Sequence, residues 1–212
     1  MTAKGTDGLP AAGGFVNLVN MARSPLGRTG ILLATTEICV EEGISQLTMR
    51  RLAARLGVTA PAIYRHFRDK DDLIKALVDE ANTSLGAYLH AALKGTSPRA
   101  RLLLVAERYL AFALQQPLHY QVLFLSRGRT DMDLLPGETR SANFRFVLDR
   151  IRESIAARTL RRQDPTAVAI TFWGLMHGLV ALHRQGRFGG RPAAFRPIFR
   201  RAVSHLLKGL EI

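Results

Sequence analysis

The sequence predicts an all-α protein with two parts: an N-terminal three-helix domain that contains a helix-turn-helix, and a C-terminal domain built of helices. Two observations support this fold class. Apolar residues recur at helical spacing along nearly the whole chain after residue 27, and helix-capping residues separate these stretches. We expect a flexible leader over residues 1–26, the three-helix domain over 27–75 and the second domain over 76–212.

The leader is rich in Gly, Ala and Pro, and it lacks the compact apolar run of a signal peptide. The first predicted helix begins near Gly27 and ends at Glu41-Glu42-Gly43. One of its faces is apolar and would form a wall of the three-helix core; it carries Ile31, Ala34, Thr35 and Ile38.

A short helix is predicted over residues 48–56, because the Thr48 hydroxyl can cap its free amides. Gly57 follows, and glycine adopts the left-handed backbone that ends many helices without a Cβ penalty. Thr59 can cap the next helix, and Pro61 suits its first turn because proline has no amide hydrogen that needs a partner there. The segment between the two helices therefore has the length and residues of a helix-turn-helix joint.

The second short helix is predicted over residues 60–67, with Ile63 and Phe67 pointing inward. Two turns of helix are unstable alone in water, so neighbouring helices must hold it. On or near its outer surface we expect Ala60, Pro61, Ala62, Tyr64, Arg65 and His66. Asp69 begins a further helix through an Asp-x-x-Asp box, and Lys70 lies at the N-terminus of that helix.

Charge is concentrated around these two helices. Residues 44–68 contain five arginines and no acidic residue, namely Arg50, Arg51, Arg55, Arg65 and Arg68.

The order and spacing of these residues resemble the N-terminal domain of the tetracycline-repressor (TetR) family of bacterial transcription regulators. The resemblance covers roughly residues 27–81. It rests on Thr48, Leu52-Ala53, Leu56-Gly57-Val58-Thr59, Ile63-Tyr64-Arg65-His66-Phe67, Lys70 and Leu73. It implies that the second short helix enters a DNA major groove.

The resemblance and the chemistry of the side chains together assign the DNA contacts. Phosphates are assigned to Thr48, Thr59, Tyr64, His66 and Lys70. Arg50 is the side chain expected at a guanine edge, whereas Arg65 suits either a base or a phosphate. The Ala60 and Ala62 methyls would meet thymine methyls, and Pro61 belongs to the small N-terminal end that lets the backbone approach the groove. Since these side chains cannot form hydrogen bonds with the bases, DNA shape should add to the sequence preference.

The second domain is predicted as a series of helices. Asp69 opens a long one, whose apolar stripe carries Leu73, Leu77, Ala81, Leu85, Tyr88 or Leu89, and Ala92. Ser97-Pro98 begins the next helix, Gln116-Pro117 bends the chain into a short one, and Asp164-Pro165 begins another. Residues 126–138 are polar with Gly and Pro, and we expect an irregular connection that could flank a ligand entrance.

The last two helices predict a homodimer. Residues 168–182 are apolar around almost the whole helix circumference, so that helix must be buried on every side. The final helix also has a continuous apolar stripe, with Phe195, Phe199, Val203, Leu206 and Leu210. In a chain of this size a second copy would cover the remaining faces, and the family resemblance implies the same four-helix interface.

A small-molecule cavity is expected within residues 98–183. Its candidate lining residues are Tyr109, Phe112, Phe124, Phe144, Trp173, Met176 and His177. Each of these alone fits plain core packing as well. Trp173-x-x-x-His177-Gly178 resembles the signature of one TetR subgroup, and His177 is expected to be either a core histidine, which we favour, or a ligand contact.

The net charge of +13 does not by itself indicate DNA binding. Residues 1–80 carry 10 basic and 9 acidic residues, whereas residues 81–212 carry 20 and 8. The excess therefore lies outside the predicted DNA-binding domain. It suits an acidic ligand, electrostatic steering toward nucleic acid, or simply an arginine-rich solvated surface, which we favour. Lys4, Arg23 and Arg28 would form a minor-groove arm if the leader contacts DNA, but we favour a leader without that role.

Other classes of function lack residues to support them. The lone Cys39 allows no internal disulfide and suits a buried structural thiol in a reducing compartment, which predicts a cytoplasmic protein. No uninterrupted apolar run approaches the ~20 residues of a membrane span. The six histidines show no zinc-binding spacing, and neither a phosphate-binding glycine loop nor a Gly-x-Ser-x-Gly elbow occurs. We therefore expect no enzyme activity, no cofactor and no metal.

These observations predict a dimeric repressor that binds a palindromic double-stranded DNA operator and is released by a small-molecule effector. The alternatives are an activator or ligand-independent regulator with the same DNA-binding domain, and an all-α enzyme or scaffold.

Overall fold

The computed structural model describes residues 27–124 and 141–212, and the predicted all-α class is confirmed within them. The helices are α1 (Arg28–Glu41), α2 (Met49–Leu56), α3 (Ala60–Tyr64), α4 (Lys70–His90), α5 (Pro98–Gln115), α6 (Pro117–Phe124), α7 (Ala142–Ala156), α8 (Pro165–Arg184) and α9 (Pro192–Leu210). The chain divides into two compact units, one ending at Leu73 and the other beginning at Ile74. We call their described residues the head (27–73) and the body (74–124 and 141–212).

The head is built by α1, α2 and α3, with α2 packed on both of the others. The predicted capping residues act as expected in α2. The Thr48 hydroxyl accepts a hydrogen bond from the Arg51 amide at 3.1 Å, and Gly57 ends the helix with a φ of 66°. The buried face of α1 includes Ile31 and Ile38, which are fully inaccessible to solvent.

The second short helix is shorter than predicted, because α3 ends at Tyr64. The amides of His66 and Phe67 both bond to the Ile63 carbonyl, at 2.9 and 3.1 Å, so the chain leaves the helix in a tight turn. Phe67 still points inward. Ala62 is only 8% exposed, so the expectation that its methyl lies on the outer surface is wrong.

Helix α4 begins at the predicted Asp-x-x-Asp box. The Asp69 carboxylate accepts from the Asp72 amide at 2.8 Å, and the Asp72 carboxylate accepts from the Arg68 amide at 3.0 Å. The buried stripe of α4 passes through Leu89 rather than Tyr88, which is half-buried.

The body is organised around α5, which packs against α6, α7, α8 and α9. Three of its helices begin with side-chain caps supplied by Ser97, Ser141 and Asp164. Two ion pairs tie distant parts of the body together: Arg99 with Glu211, and Arg200 with Glu107.

Helix α8 is the one helix within the described residues that is long and apolar enough to cross a membrane, with a mean hydropathy of 1.5. Length and composition alone do not contradict the prediction that the chain has no transmembrane segment. Core helices meet the same criterion. One side of α8 is buried within the body through residues that include Phe172, Trp173 and Val180.

The predictions for the leader, including the arm residues Lys4 and Arg23, and for the connection at 126–138 lie outside the described residues.

Candidate functional site

The head presents exposed and half-buried side chains on α2, on α3 and in the residues that follow α3. Tyr64 is 51% exposed, an unusual exposure for a large aromatic residue. The other residues assigned to DNA are all exposed or half-buried: Thr48, Arg50, Thr59, Ala60, Pro61, Arg65, His66 and Lys70. None of these nine side chains belongs to the head core, so all of them are free to meet another molecule.

Ion pairs separate the head arginines into two groups. Arg55 contacts Glu41 at 2.7 Å and also Glu42 and Glu37, while Arg51 pairs with Glu42. These carboxylates raise the pKa of the Arg55 guanidinium, first through its hydrogen bond to Glu41. The acidic end of α1 thus neutralises part of the positive charge that the sequence places in this region.

Arg50 and Arg65 are the two head arginines that form neither an ion pair nor a side-chain hydrogen bond with any residue of the described chain. Both are exposed. Arg68 lies 3.8 Å from the Asp72 carboxylate. An unpaired guanidinium keeps its full set of donors for a phosphate or a guanine edge. The arginine content of the sequence could not distinguish these two groups.

The two threonines that flank the joint have different local roles. The Thr48 hydroxyl accepts a backbone hydrogen bond as the cap of α2, which leaves its proton free to donate. Thr59 occupies the N-cap position of α3 but makes no side-chain cap hydrogen bond. Both hydroxyls can therefore donate to a phosphate without losing a fold contact.

Arg28 is held by the head. Its guanidinium donates to the His66 carbonyl at 3.1 Å and lies 4.3 Å from the centre of the Phe67 ring. A side chain in these contacts supports the turn after α3 rather than extending as a minor-groove arm, so the arm alternative is wrong for Arg28.

Five of the seven side chains predicted to line a ligand cavity form one aromatic cluster in the body. Tyr109 lies 5.3 Å from Trp173 between ring centres, Phe124 lies 5.0 Å from His177, and Phe144 lies 6.4 Å from Trp173. These distances are those of rings in tilted or edge-to-face contact. Phe112 instead contacts Tyr88, and Met176 is fully buried.

The sequence analysis missed Tyr120, which is central to this cluster. Its ring lies 4.9 Å from Phe124 and stacks 5.8 Å from His177. The spacing of Tyr120 and Phe124, four residues apart on one helix, was the available signal. We refer to Tyr109, Tyr120, Phe124, Phe144, Trp173 and His177 as the aromatic cluster.

A polar contact lies inside the aromatic cluster. The hydroxyls of Tyr109 and Tyr120 lie 3.2 and 3.1 Å from Nδ1 of His177. Burial raises the pKa of Tyr120 to about 12, raises the pKa of Tyr109 well above its usual value, and lowers the pKa of His177. Near neutral pH all three groups are therefore uncharged.

Apolar side chains remain exposed along α8 and α9. Ile170 is 39% exposed, and Leu182 and Ile198 are each 42% exposed. Ile170, Gly174 and Leu182 recur at intervals of four and eight residues, so they follow one side of α8. This face is uncovered in a single chain.

Comparison with known proteins identifies both units. Residues 31–77 match the family model described as bacterial regulatory proteins, tetR family, and residues 102–206 match the model described as a tetracyclin repressor-like C-terminal domain. The first match includes every residue that we assigned to DNA.

Two curated relatives show how similarity is distributed. The chain is 41% identical to the HTH-type transcriptional repressor BepR of Brucella suis over 54 residues, which is 26% of each chain. It is 26% identical to the nucleoid occlusion factor SlmA of Serratia proteamaculans over 159 residues, covering 71% of this chain and 79% of that protein. The strongest identity is therefore confined to about a quarter of BepR.

The fold of this chain is also similar to that of solved structures. The TetR family transcriptional regulator PfmR of Thermus thermophilus superposes with a TM-score of 0.65 at 18% identity, covering 86% of this chain and 99% of that one. At this identity the likeness concerns the fold.

Proposed function

Because this chain belongs to the TetR family of bacterial regulatory proteins and is a DNA-binding transcription regulator, we propose that it is a dimeric repressor. Its head binds a near-palindromic operator, and a small molecule bound in the body releases it. The observation that carries the DNA-binding part is that Arg50, Arg65 and the aromatic ring of Tyr64 are all exposed, while neither guanidinium has a partner in the described chain.

The head reads DNA through α3 and the residues around it. Arg50 donates two hydrogen bonds to a guanine edge, and Arg65 contacts a base or a phosphate. The Ala60 methyl meets a thymine methyl, while Pro61 lets the backbone approach the groove floor. Phosphates are bound by Thr48, Thr59, Tyr64, His66 and Lys70. With Ala62 buried, fewer apolar contacts reach the bases, so DNA shape gains weight in the sequence preference.

The dimer forms through α8 and α9. The exposed apolar side chains Ile170, Leu182 and Ile198 support this assignment, because covering apolar surface with a second copy stabilises the pair. A two-fold interface between identical copies pairs the same face with itself. The two heads then read half-sites about one helical turn apart.

The small molecule binds at the aromatic cluster, with Phe112 and Met176 supporting it from the neighbouring core. The contact of Tyr109 and Tyr120 with His177 supports this assignment. The buried hydroxyls and the uncharged imidazole can exchange their hydrogen bonds with one another for hydrogen bonds to a ligand's donors and acceptors. His177 and Phe124 are half-buried, so a ligand would reach these two rings first. A coupling of about 1–3 kcal/mol would change DNA affinity about 5- to 150-fold.

Several finer assignments belong to the same proposal. The DNA-binding domain spans residues 27–75 and the regulatory domain 76–212, and the protein acts in the cytoplasm. The body belongs to the subgroup with a Trp-x-x-x-His-Gly signature, which is supported by Trp173 and His177 both lying in the aromatic cluster. An activator with the same head is the second reading, and a reporter fusion in a deletion strain distinguishes it by the sign of the change.

The experiment that tests the proposal is selection from a random duplex pool with the purified protein, followed by a salt titration on the selected duplex. A repressor of this kind recovers a palindrome, and its affinity falls steeply with salt because each phosphate contact releases a counterion. Recovery of no palindrome, or a flat salt dependence, would contradict DNA reading by the head. A scaffold or enzyme that only shares the fold would recover no palindrome and show a flat salt dependence.

A further inference from the structure

Helix α7 ends in an unusual way. The Thr159 amide bonds to the Ser154 carbonyl at 2.9 Å and the Arg158 amide bonds to the Ile155 carbonyl at 3.1 Å, which together form a Schellman motif. The residue in the left-handed position of this motif is Arg158, with a φ of 55°. It is the one residue other than glycine with positive φ in the described chain. Glycine commonly fills this position, because any Cβ there is strained.

The residues after Arg158 are fastened to the end of α9. Leu160 forms an isolated antiparallel bridge with Glu211. The Arg161 guanidinium donates to the carbonyls of Glu211 and Gly209, at 2.8 and 3.0 Å. The Glu211 carboxylate is bound by Arg99 at 2.5 Å. The Arg161 and Glu211 side chains therefore both have partners within the chain.

A groove of about 510 Å³ lies between these two segments, and four of its six lining residues are exposed to solvent. Its lining residues are Ile155, Ala156, Arg158, Leu160, Arg162 and Ile212. Arg158 and Arg162 form no ion pair and no side-chain hydrogen bond with any part of the described chain. The lining thus combines aliphatic side chains with two free guanidiniums and contains no carboxylate side chain.

We propose that this groove binds a segment of a partner protein in which carboxylate side chains flank an apolar one. Two unpaired guanidiniums beside an aliphatic floor are complementary to that chemistry, since arginine binds carboxylates in a two-pronged geometry. A groove lined mostly by exposed residues suits a chain segment that passes through it, whereas small ligands are mostly enclosed.

The strained backbone supports a binding role for Arg158. A glycine would end α7 in the same motif without the Cβ strain, and no residue in the described part of the chain binds the guanidinium. An arginine kept in that conformation is explained by a contact outside the chain. This inference does not depend on DNA binding or on the aromatic cluster.

The test uses Arg158→Gly in the full-length protein, because this change removes the guanidinium and the strain together. The probe is a fluorescein-labelled hexapeptide, Glu-Asp-Leu-Leu-Asp-Glu, followed by fluorescence anisotropy at low salt. Wild-type protein binds it saturably, and Arg158→Gly and Arg162→Ala each weaken binding by about tenfold or more, the loss expected for one charge-assisted contact. The midpoint of thermal unfolding of Arg158→Gly is at least that of wild type.

Matched controls separate the groove from the general charge of the body. Arg201→Ala removes an exposed, unpaired arginine from α9 and leaves peptide binding unchanged. A peptide with lysine in place of each acidic residue does not bind. Affinity of Arg158→Gly for the selected operator stays at the wild-type value, so a failure here is distinguishable from a failure of DNA reading.

Three results would overturn the proposal. One is the absence of saturable binding of the acidic peptide to wild-type protein at millimolar concentration. Another is equal binding by wild type, Arg158→Gly and Arg201→Ala. The third is binding of sodium decanoate without binding of the peptide, which would assign the groove to a small amphiphile instead of a protein segment.

Discussion

The Tyr120 hydroxyl lies 3.1 Å from Nδ1 of His177, inside a set of rings that contact one another. The Tyr109 hydroxyl lies 3.2 Å from the same nitrogen. In the tautomer with its proton on Nε2, the imidazole accepts at Nδ1 from a phenol, and the two phenols also bond to each other. The histidine and the two buried tyrosines therefore satisfy one another's polar atoms.

Removing this acceptor should destabilise the body. In His177→Leu both tyrosine hydroxyls lose their common partner, and we expect a loss of about 1–3 kcal/mol in the free energy of unfolding, measured by urea denaturation. Tyr120→Phe is the matched control and should cost less, because Tyr109 retains its contact with the histidine. A His177→Leu variant as stable as wild type would show that the contact contributes nothing to the fold.

Stability should also fall on acidification. Burial lowers the pKa of His177, His119 and His183 in the folded chain; Arg184 adds to this effect at His183, and Glu80 opposes it at His119. Below about pH 6.5 the unfolded chain takes up protons that the folded chain does not, so the free energy of unfolding falls as pH drops from about 7 to about 5.

The measurement is urea denaturation at a series of pH values in one buffer system. His177→Leu should show a shallower decrease than wild type over the same interval, because one of the three groups is gone. A stability that rises toward pH 5 has the wrong sign for buried, neutral histidines.

The two classes of head arginine should respond differently to substitution. Arg50→Ala should cost about 1–3 kcal/mol of binding free energy at one base pair and leave the melting temperature unchanged, since Arg50 has no partner within the described chain. Arg55→Ala should lower the melting temperature slightly and affect DNA less, because that guanidinium is bound by Glu41 and its neighbours.

Anisotropy on the selected operator and its single-base variants measures both effects. Tyr64→Ala provides the comparison for a phosphate contact and should weaken binding to all sequences similarly. If Arg50→Ala also weakened all sequences equally, its assignment to a base edge would have to be abandoned.

A charge placed on the exposed face of α8 should dissociate the dimer. Ile170→Glu would bury two symmetric carboxylates in the interface, and we expect dimer affinity to fall about hundredfold or more, as measured by sedimentation velocity. Gln163→Glu adds the same charge just before α8 and should leave the dimer intact. Persistence of the dimer in Ile170→Glu would exclude this face as its centre.

Local chemistry made much of the head predictable. Thr48, Gly57 and Asp69 each specify a helix end through their own hydrogen bonds or backbone, and all three do so as expected. Ala62 was predicted on the wrong face because its outer face was drawn for a helix of eight residues, whereas α3 has five. Helix α3 ends in a turn in which the amides of His66 and Phe67 both bond to the Ile63 carbonyl, and the sequence has no glycine or proline there to mark the end.

The interior of the body was less predictable. Helical spacing identifies which residues turn inward, but it does not tell which inward residues from different helices meet. Tyr120 therefore escaped notice although it contacts three members of the aromatic cluster. Phe112 was grouped with them although its ring partner is Tyr88. The left-handed Arg158 has no sequence signal, since glycine is the residue expected there.

The ion pair between Arg99 and Glu211 joins residues 112 positions apart, whereas the head closes with contacts such as Arg55 to Glu41, 14 positions apart. Chains emerge from the ribosome in order, and domains made of local contacts fold fastest. The head can therefore be complete during translation while the start of α5 still lacks its partner. For that interval the nascent chain carries a finished DNA-binding surface before it has a finished interface for a second copy.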